Sequence, residues 1–204
     1  MKSSYLRVGA AALACALGLS ACGGSSGQLL LGGYVSGLTK ETLVLQNNGG
    51  QDYALTPSAL GASGEFFFPD LVEVDSQYNV TVKSWPTNVE KCDVTNGSGR
   101  SAFNITTVLI SCQLKTHALG GTVTGMSTTS PLVLVNGTDK VTVNPTSTPG
   151  TPVTFSMTKV GEDQNYGITV LTNPADRSCT VTNASGTMLN ADIGNVTVTC
   201  GPRT

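Results

Sequence analysis

"CDVTNGSG" at residues 92–99 and "CTVTNASG" at residues 179–186 are one phrase written twice, with two changes. About 20 residues after each opening cysteine, a second cysteine closes a strand-like run: "TTVLISC" ends at Cys112 and "NVTVTC" at Cys200. The repetition spreads outward. "GGYVSGL" (32–38) matches "GGTVTGM" (120–126), and "LVLQNNG" (43–49) matches "LVLVNG" (132–137). "EFFF" (65–68) is set against "PVTF" (152–155), and "YNVTVKSWP" (78–86) against "YGITVLTNP" (166–174). The offset stays between 87 and 89, so the chain carries a tandem duplication of about 85 residues. One copy spans residues 29–113, the other 118–201, and residues 114–117 read as a short linker.

Each copy reads as strands. In "YNVTVKS", Tyr78, Val80 and Val82 alternate with Asn79, Thr81 and Lys83; Tyr166, Ile168 and Val170 do the same in the second copy. Period two with one apolar face is the pattern of a half-buried strand. Asn-Gly pairs at 48–49, 96–97 and 136–137 mark turns, because both residues tolerate positive φ. Pro86 and Pro174 stop the strands before them. The expectation is all-β: two tandem antiparallel β-sandwiches of about seven short strands each, with no helix.

The 204 residues include only 12% charged and 5% aromatic residues, with net charge −2. Nothing here forms the basic face that a nucleic-acid partner needs. The first residues, "MKSSYLR", carry Lys2 and Arg7 and no acid, and "VGAAALACALGLSA" is apolar but short for a membrane span. This is the layout of a secretory signal peptide over residues 1–21. "LSAC" (19–22) resembles the lipobox of bacterial lipoproteins. That resemblance implies cleavage before Cys22 and acylation of Cys22, with residues 22–28 as a Gly/Ser tether to the membrane. "LAC" at 13–15 is an alternative that would leave an apolar stub on the mature chain. Gly23, where retained inner-membrane lipoproteins carry Asp, implies the outer membrane by the same resemblance. Processing would remove two cations and take the net charge from −2 to −4.

Cys92, Cys112, Cys179 and Cys200 remain, an even number in a chain bound for an oxidising compartment. Of the three pairings, the repeat selects Cys92–Cys112 and Cys179–Cys200, which keep each bond inside one copy. Zinc is disfavoured. There is no CxxC, and the single histidine, His117, lies between the copies in the linker, where it reads as solvated and idle.

The order GGxVxG … LVLxN … FxF … YxVTV … CxVTN … VxVxC resembles the tandem β-sandwich repeats of Gram-negative surface lipoproteins and repetitive adhesins. It is also similar to the prealbumin-like, carboxypeptidase-regulatory-type and immunoglobulin-like sandwiches. The resemblance covers residues 32–200 and implies architecture more than activity, because such sandwiches host many functions.

No catalytic constellation emerges: there is no GxSxG, no HExxH and no spare thiol. "EVD" (73–75) and "GED" (161–163) lack the alternating carboxylates of a dedicated calcium loop. No cofactor or metal is expected. The difference between copies is the better lead. Tyr34, Phe67 and Trp85 stand in the first copy where the alignment gives the second Thr122, Thr154 and Asn173. Outward aromatics bury large area at low entropy cost, so these three form a candidate contact patch; the plainer reading, and the favoured one, is that they cover a sheet edge or pack on the second domain. The sequence thus points to a non-enzymatic, membrane-anchored envelope protein with a structural, adhesion or interaction role and a protein or glycan partner. The alternative is a carbohydrate- or peptide-binding accessory lipoprotein.

Overall fold

The computed structural model describes residues 27–127 and 129–203. The leader, Cys22 and most of the tether lie outside them. Among the described residues there are eighteen strands and no helix. Domain one holds β1 (Gln28–Leu29), β2 (Leu31–Ser36), β3 (Leu43–Asn47), β4 (Tyr53–Leu55), β5 (Glu65–Phe67), β6 (Val72–Glu73), β7 (Gln77–Ser84), β8 (Val89–Thr95), β9 (Ser98–Arg100) and β10 (Ile105–Leu114). Domain two holds β11 (Thr116–Thr124), β12 (Leu132–Asn136), β13 (Asp139–Val143), β14 (Val153–Gly161), β15 (Asn165–Thr172), β16 (Arg177–Thr182), β17 (Ser185–Thr187) and β18 (Ile193–Pro202).

Each domain is two four-stranded sheets facing each other. In domain one the orders are β5-β2-β10-β8 and β4-β3-β7-β9; in domain two they are β14-β11-β18-β16 and β13-β12-β15-β17. The topology is the same strand for strand. Leu31, Val35 and Ile110 from one sheet meet Leu43, Leu45 and Val80 from the other; Leu119, Val123, Val198, Leu132, Leu134 and Ile168 repeat the set. Pro69 explains one difference. It has no N–H to continue a ladder, so β5 and β6 are separate pieces in domain one. Domain two has no proline there and forms a single β14.

The sheets are not wholly antiparallel. β2 and β10, the first and last long strands of domain one, pair in parallel, as do β11 and β18. A parallel neighbour requires a long connection, and here the rest of the domain supplies it. Each parallel pair carries a register shift, between Ile105 and Val108 in one copy and between Leu119 and Gly121 in the other. At that bulge the backbones touch. A β-carbon on Gly33 would run into the Val108 carbonyl, and one on Gly121 into the Val196 carbonyl. Farther along, Gly37 and Gly125 have φ of 78° and 70° and lie against the carbonyls of Cys112 and Cys200. The second and third glycines of the repeated GGxVxG motif are therefore the imprint of the last strand on the first, while the first, Gly32 or Gly120, faces the Phe66 or Phe155 carbonyl on the other side.

The repeated Asn of the opening phrase clamps the same bulge. Asn96 and Asn183 have φ of 56° and 54°. Their side-chain amides donate to the carbonyls of Thr107 (3.3 Å) and Asn195 (3.0 Å). The Asn96-Gly97 pair, expected to turn a hairpin, does not: β8 and β9 belong to different sheets. The left-handed residue instead swings the chain across the sandwich, where the Gly97 and Ala184 carbonyls accept the N–H groups of Val80 (2.6 Å) and Ile168 (2.7 Å). The other two Asn-Gly turns do close hairpins, β3–β4 and β12–β13.

Cys92 is bonded to Cys112 and Cys179 to Cys200. In both cases the partners sit directly opposite each other on adjacent antiparallel strands, β8 and β10, then β16 and β18. The bond fastens the strand that touches the glycines repeated in both copies. Closing about 20 residues is worth about 3 kcal/mol in the chain-entropy model, a large share of what an 85-residue sandwich has to spare.

Two outcomes are expected. Gly33→Ala costs about 3 kcal/mol or more, because backbone stands where the methyl must go. Gly49→Ala, also at positive φ but with open space around it, costs only about 1 kcal/mol; urea denaturation separates the two. Cys92→Ala with Cys112→Ala lowers domain one's stability by about 3 kcal/mol and leaves domain two protected in hydrogen exchange.

Candidate functional site

The outer face of the β5-β2-β10-β8 sheet distinguishes domain one. Along β2 the burial alternates, with Val35 buried and Tyr34 41% exposed. Along β10, Val108 and Ile110 are buried while Leu109 between them is exposed. Tyr34 pairs with Leu109 on one side and Glu65 on the other, so these side chains share a face. Phe67 lies two positions along, opposite Gly32, whose missing side chain leaves room for the ring. Phe66 and Phe68, on the inner side, are buried. Tyr34, Phe67 and Leu109 thus make a contiguous apolar strip.

Register corrects the sequence alignment here. Phe66 pairs with Gly33 and Phe155 with Gly121; Glu65 pairs with Tyr34 and Thr154 with Thr122. Thr154 is therefore the counterpart of Glu65, and Ser156 that of Phe67. The row Glu65–Tyr34–Leu109–Thr95 in domain one becomes Thr154–Thr122–Thr197–Thr182 in domain two. An uninterrupted line of threonines replaces the apolar strip. Leu109 was missed in sequence, although the alternation of Val108, Leu109 and Ile110 carries the signal.

Trp85 lies elsewhere. It follows β7 in the opposing sheet and is 44% exposed. Its counterpart Asn173 turns inward, and its Oδ1 accepts the Cys179 N–H at 2.8 Å. Two of the three candidate aromatics share a face and the third does not.

A second polar cluster forms where the domains meet. Asp163, at φ 64° in the turn between β14 and β15, reaches into the lower end of domain one. Its Oδ2 accepts hydrogen bonds from Asn88 Nδ2 (2.7 Å) and Thr39 Oγ1 (3.1 Å), and Lys40 Nζ lies 3.4 Å from Oδ1. Asn88 is fully buried, its Nδ2 also donates to Thr39 Oγ1, and its Oδ1 has no partner among the described residues. The Glu162 N–H donates to the Lys115 carbonyl at 2.9 Å. Beside this cluster, Glu41 accepts from the backbone N–H and hydroxyl of Thr87, which hold its carboxyl below the usual range. The stretch 114–117, expected to be a linker, is mostly strand: β10 runs to Leu114 and β11 starts at Thr116. His117, expected to be solvated, has its Nε2 2.9 Å from Oε1 of the buried Glu162. Asp192 lies 3.8 Å from its other ring nitrogen.

The two acidic turns have diverged. Asp75, in the position of Asp163, is exposed and paired with Arg100 at 2.7 Å, which holds its carboxyl below the usual value. An open cleft of about 620 Å³ beside it is lined by Asn48, Gln77, Tyr78, Asn79, Ser98 and Arg100. A second, of about 360 Å³, lies at the domain junction between Lys40, Lys115, Glu162 and Leu189. Among the described residues, no three of His, Cys, Asp and Glu are placed to hold a metal ion.

No protein-family model matches the chain, and no curated protein matches it either.

Asp163→Ala leaves one N–H of the buried Asn88 amide without its partner and costs about 1–3 kcal/mol. The exposed Asp75→Ala changes stability by about 0.5 kcal/mol or less. NMR relaxation reads the same contrast as independent domain tumbling in the first variant only.

Proposed function

We propose that this chain is a non-enzymatic cell-envelope lipoprotein that holds an interaction surface at a fixed stand from the membrane. Acylated Cys22 is the anchor, palmitate being one of its chains, and the outer membrane is the site. The two stapled sandwiches are the structural body, and a protein or glycan is the partner. One observation supports this reading above the others: the copies share topology and core, yet only domain one carries the Tyr34, Phe67 and Leu109 strip. The fold does not need the strip, since threonines and a serine serve in domain two. An apolar strip on an otherwise polar sheet is the kind of surface that partners cover. The hydrogen-bonded junction at Asp163 supports a spacer role, because it resists bending between the domains.

A second reading, an accessory protein that binds carbohydrate or peptide, draws on the exposed indole of Trp85. A flat aromatic face suits sugar stacking.

Cells grown with labelled palmitate are expected to yield a labelled protein in the membrane fraction, and Cys22→Ala to abolish both label and retention. Tyr34→Ser with Leu109→Thr, which gives this face the polar character of domain two, is expected to remove adhesion or partner capture while both disulfides persist. A glycan signal lost in Trp85→Ala, with the sheet variant unaffected, would favour the second reading.

A further inference from the structure

The end of domain one where the described chain begins is its most apolar tip. Leu30, Leu71, Val74 and Phe103 are 39, 44, 44 and 76% exposed there. They stand on three segments knitted together by the backbone. The Val74 N–H donates to the Gly27 carbonyl (2.9 Å), Leu29 pairs with Val72, the Ile105 N–H donates to the Leu30 carbonyl (2.8 Å), and the Asp75 N–H donates to the Ser101 carbonyl (2.6 Å). Asn104 Oδ1 also accepts the Leu30 N–H. The same bonds recur in domain two, so positions can be compared directly. Leu30, Leu71 and Val74 become Ala118, Lys159 and Glu162. In domain two this end abuts domain one through Asp163. In domain one the same end faces the tether.

We propose that this tip enters the boundary between lipid headgroups and acyl chains, a second membrane contact that sets the whole protein upright on the bilayer. The inference rests on the reading that Cys22 is acylated. Its argument is reach. Only four residues separate Cys22 from Gly27, and over those five steps, at about 3.3–3.6 Å each, the tip stays within about 18 Å of the acylated residue. Apolar faces that lie in the interface bury themselves about 5–10 Å into this boundary. Phe103 and Leu71 need no unfolding to do so. The exposed Asp70 and Glu73 and the Asp75–Arg100 pair share this end. They remain at headgroup level and favour a zwitterionic surface over an anionic one. Domain two, continuing from the opposite end at Leu114, is carried away from the membrane.

The test uses the acylated full-length chain in phosphatidylcholine vesicles with brominated acyl chains, which quench indoles that enter the bilayer. The natural Trp85 sits beyond the far end of β7, away from the tip, and serves as the control. In the double variant Trp85→Phe, Phe103→Trp, emission from position 103 is expected to shift to the blue and fall at least twofold. The parent protein's Trp85 is expected to stay unquenched. Absence of quenching at position 103, in a chain whose mass shows acyl groups on Cys22, overturns the inference and leaves the anchor standing. The same holds if that site is shielded by a second copy, as cross-linking would show. A mature chain without acyl groups overturns both.

Discussion

The first strand of each domain lies parallel to the last, and at one point their backbones touch. Gly33 meets the Val108 carbonyl and Gly121 meets that of Val196. No residue with a β-carbon fits there, and the bulge in the last strand is what brings the carbonyl so close. The remaining features of the closure serve this contact. Asn96 and Asn183 hold the bulge by its free carbonyl and send the chain to the other sheet. Gly37 and Gly125 let the first strand turn away beside the cysteine carbonyls. The disulfide joins the last strand to its antiparallel neighbour, so the strand is fixed on both sides.

Duplication of this closed unit produced two ends of the same kind, and the junction uses one of each. Domain one's lower end offers Thr39 and Asn88, and domain two's upper end offers Asp163. The unused ends have changed. Ser127 and Asp176 replace Thr39 and Asn88, and the Ser127 hydroxyl helps hold the Asp176 carboxyl below its usual range. Asp75 is taken up by Arg100. A third unit of the same kind would set an aspartate against Asp176 in place of an amide donor.

Much of this was legible in the sequence because it is local or repeated. Alternation in "YNVTVKS" marks β7, and the doubled cysteine phrase selects both disulfides. What stayed hidden depends on partners distant in the chain. The parallel pairing of β2 with β10 leaves only glycines as its trace. The Asn-Gly after Cys92 looks like a hairpin, yet crosses between sheets because the bulge, not the next strand, receives its side chain. Phe67 was matched to Thr154, since letters alone cannot choose between two registers two residues apart; pairing with Gly32 decides for Ser156. His117 looked idle because Glu162, its partner, is 45 residues away.

Non-reducing peptide mapping tests the central claim most directly. Trypsin cuts after Lys91, Arg100, Lys115, Arg177 and Arg203. If each copy is closed by its own last strand, peptide 92–100 is found joined to 101–115, and peptide 178–203 is closed on itself, lighter by two hydrogens. A species joining 92–100 to 178–203 would contradict the account, because the last strand of one copy could not then lie where its own glycines have made room for it.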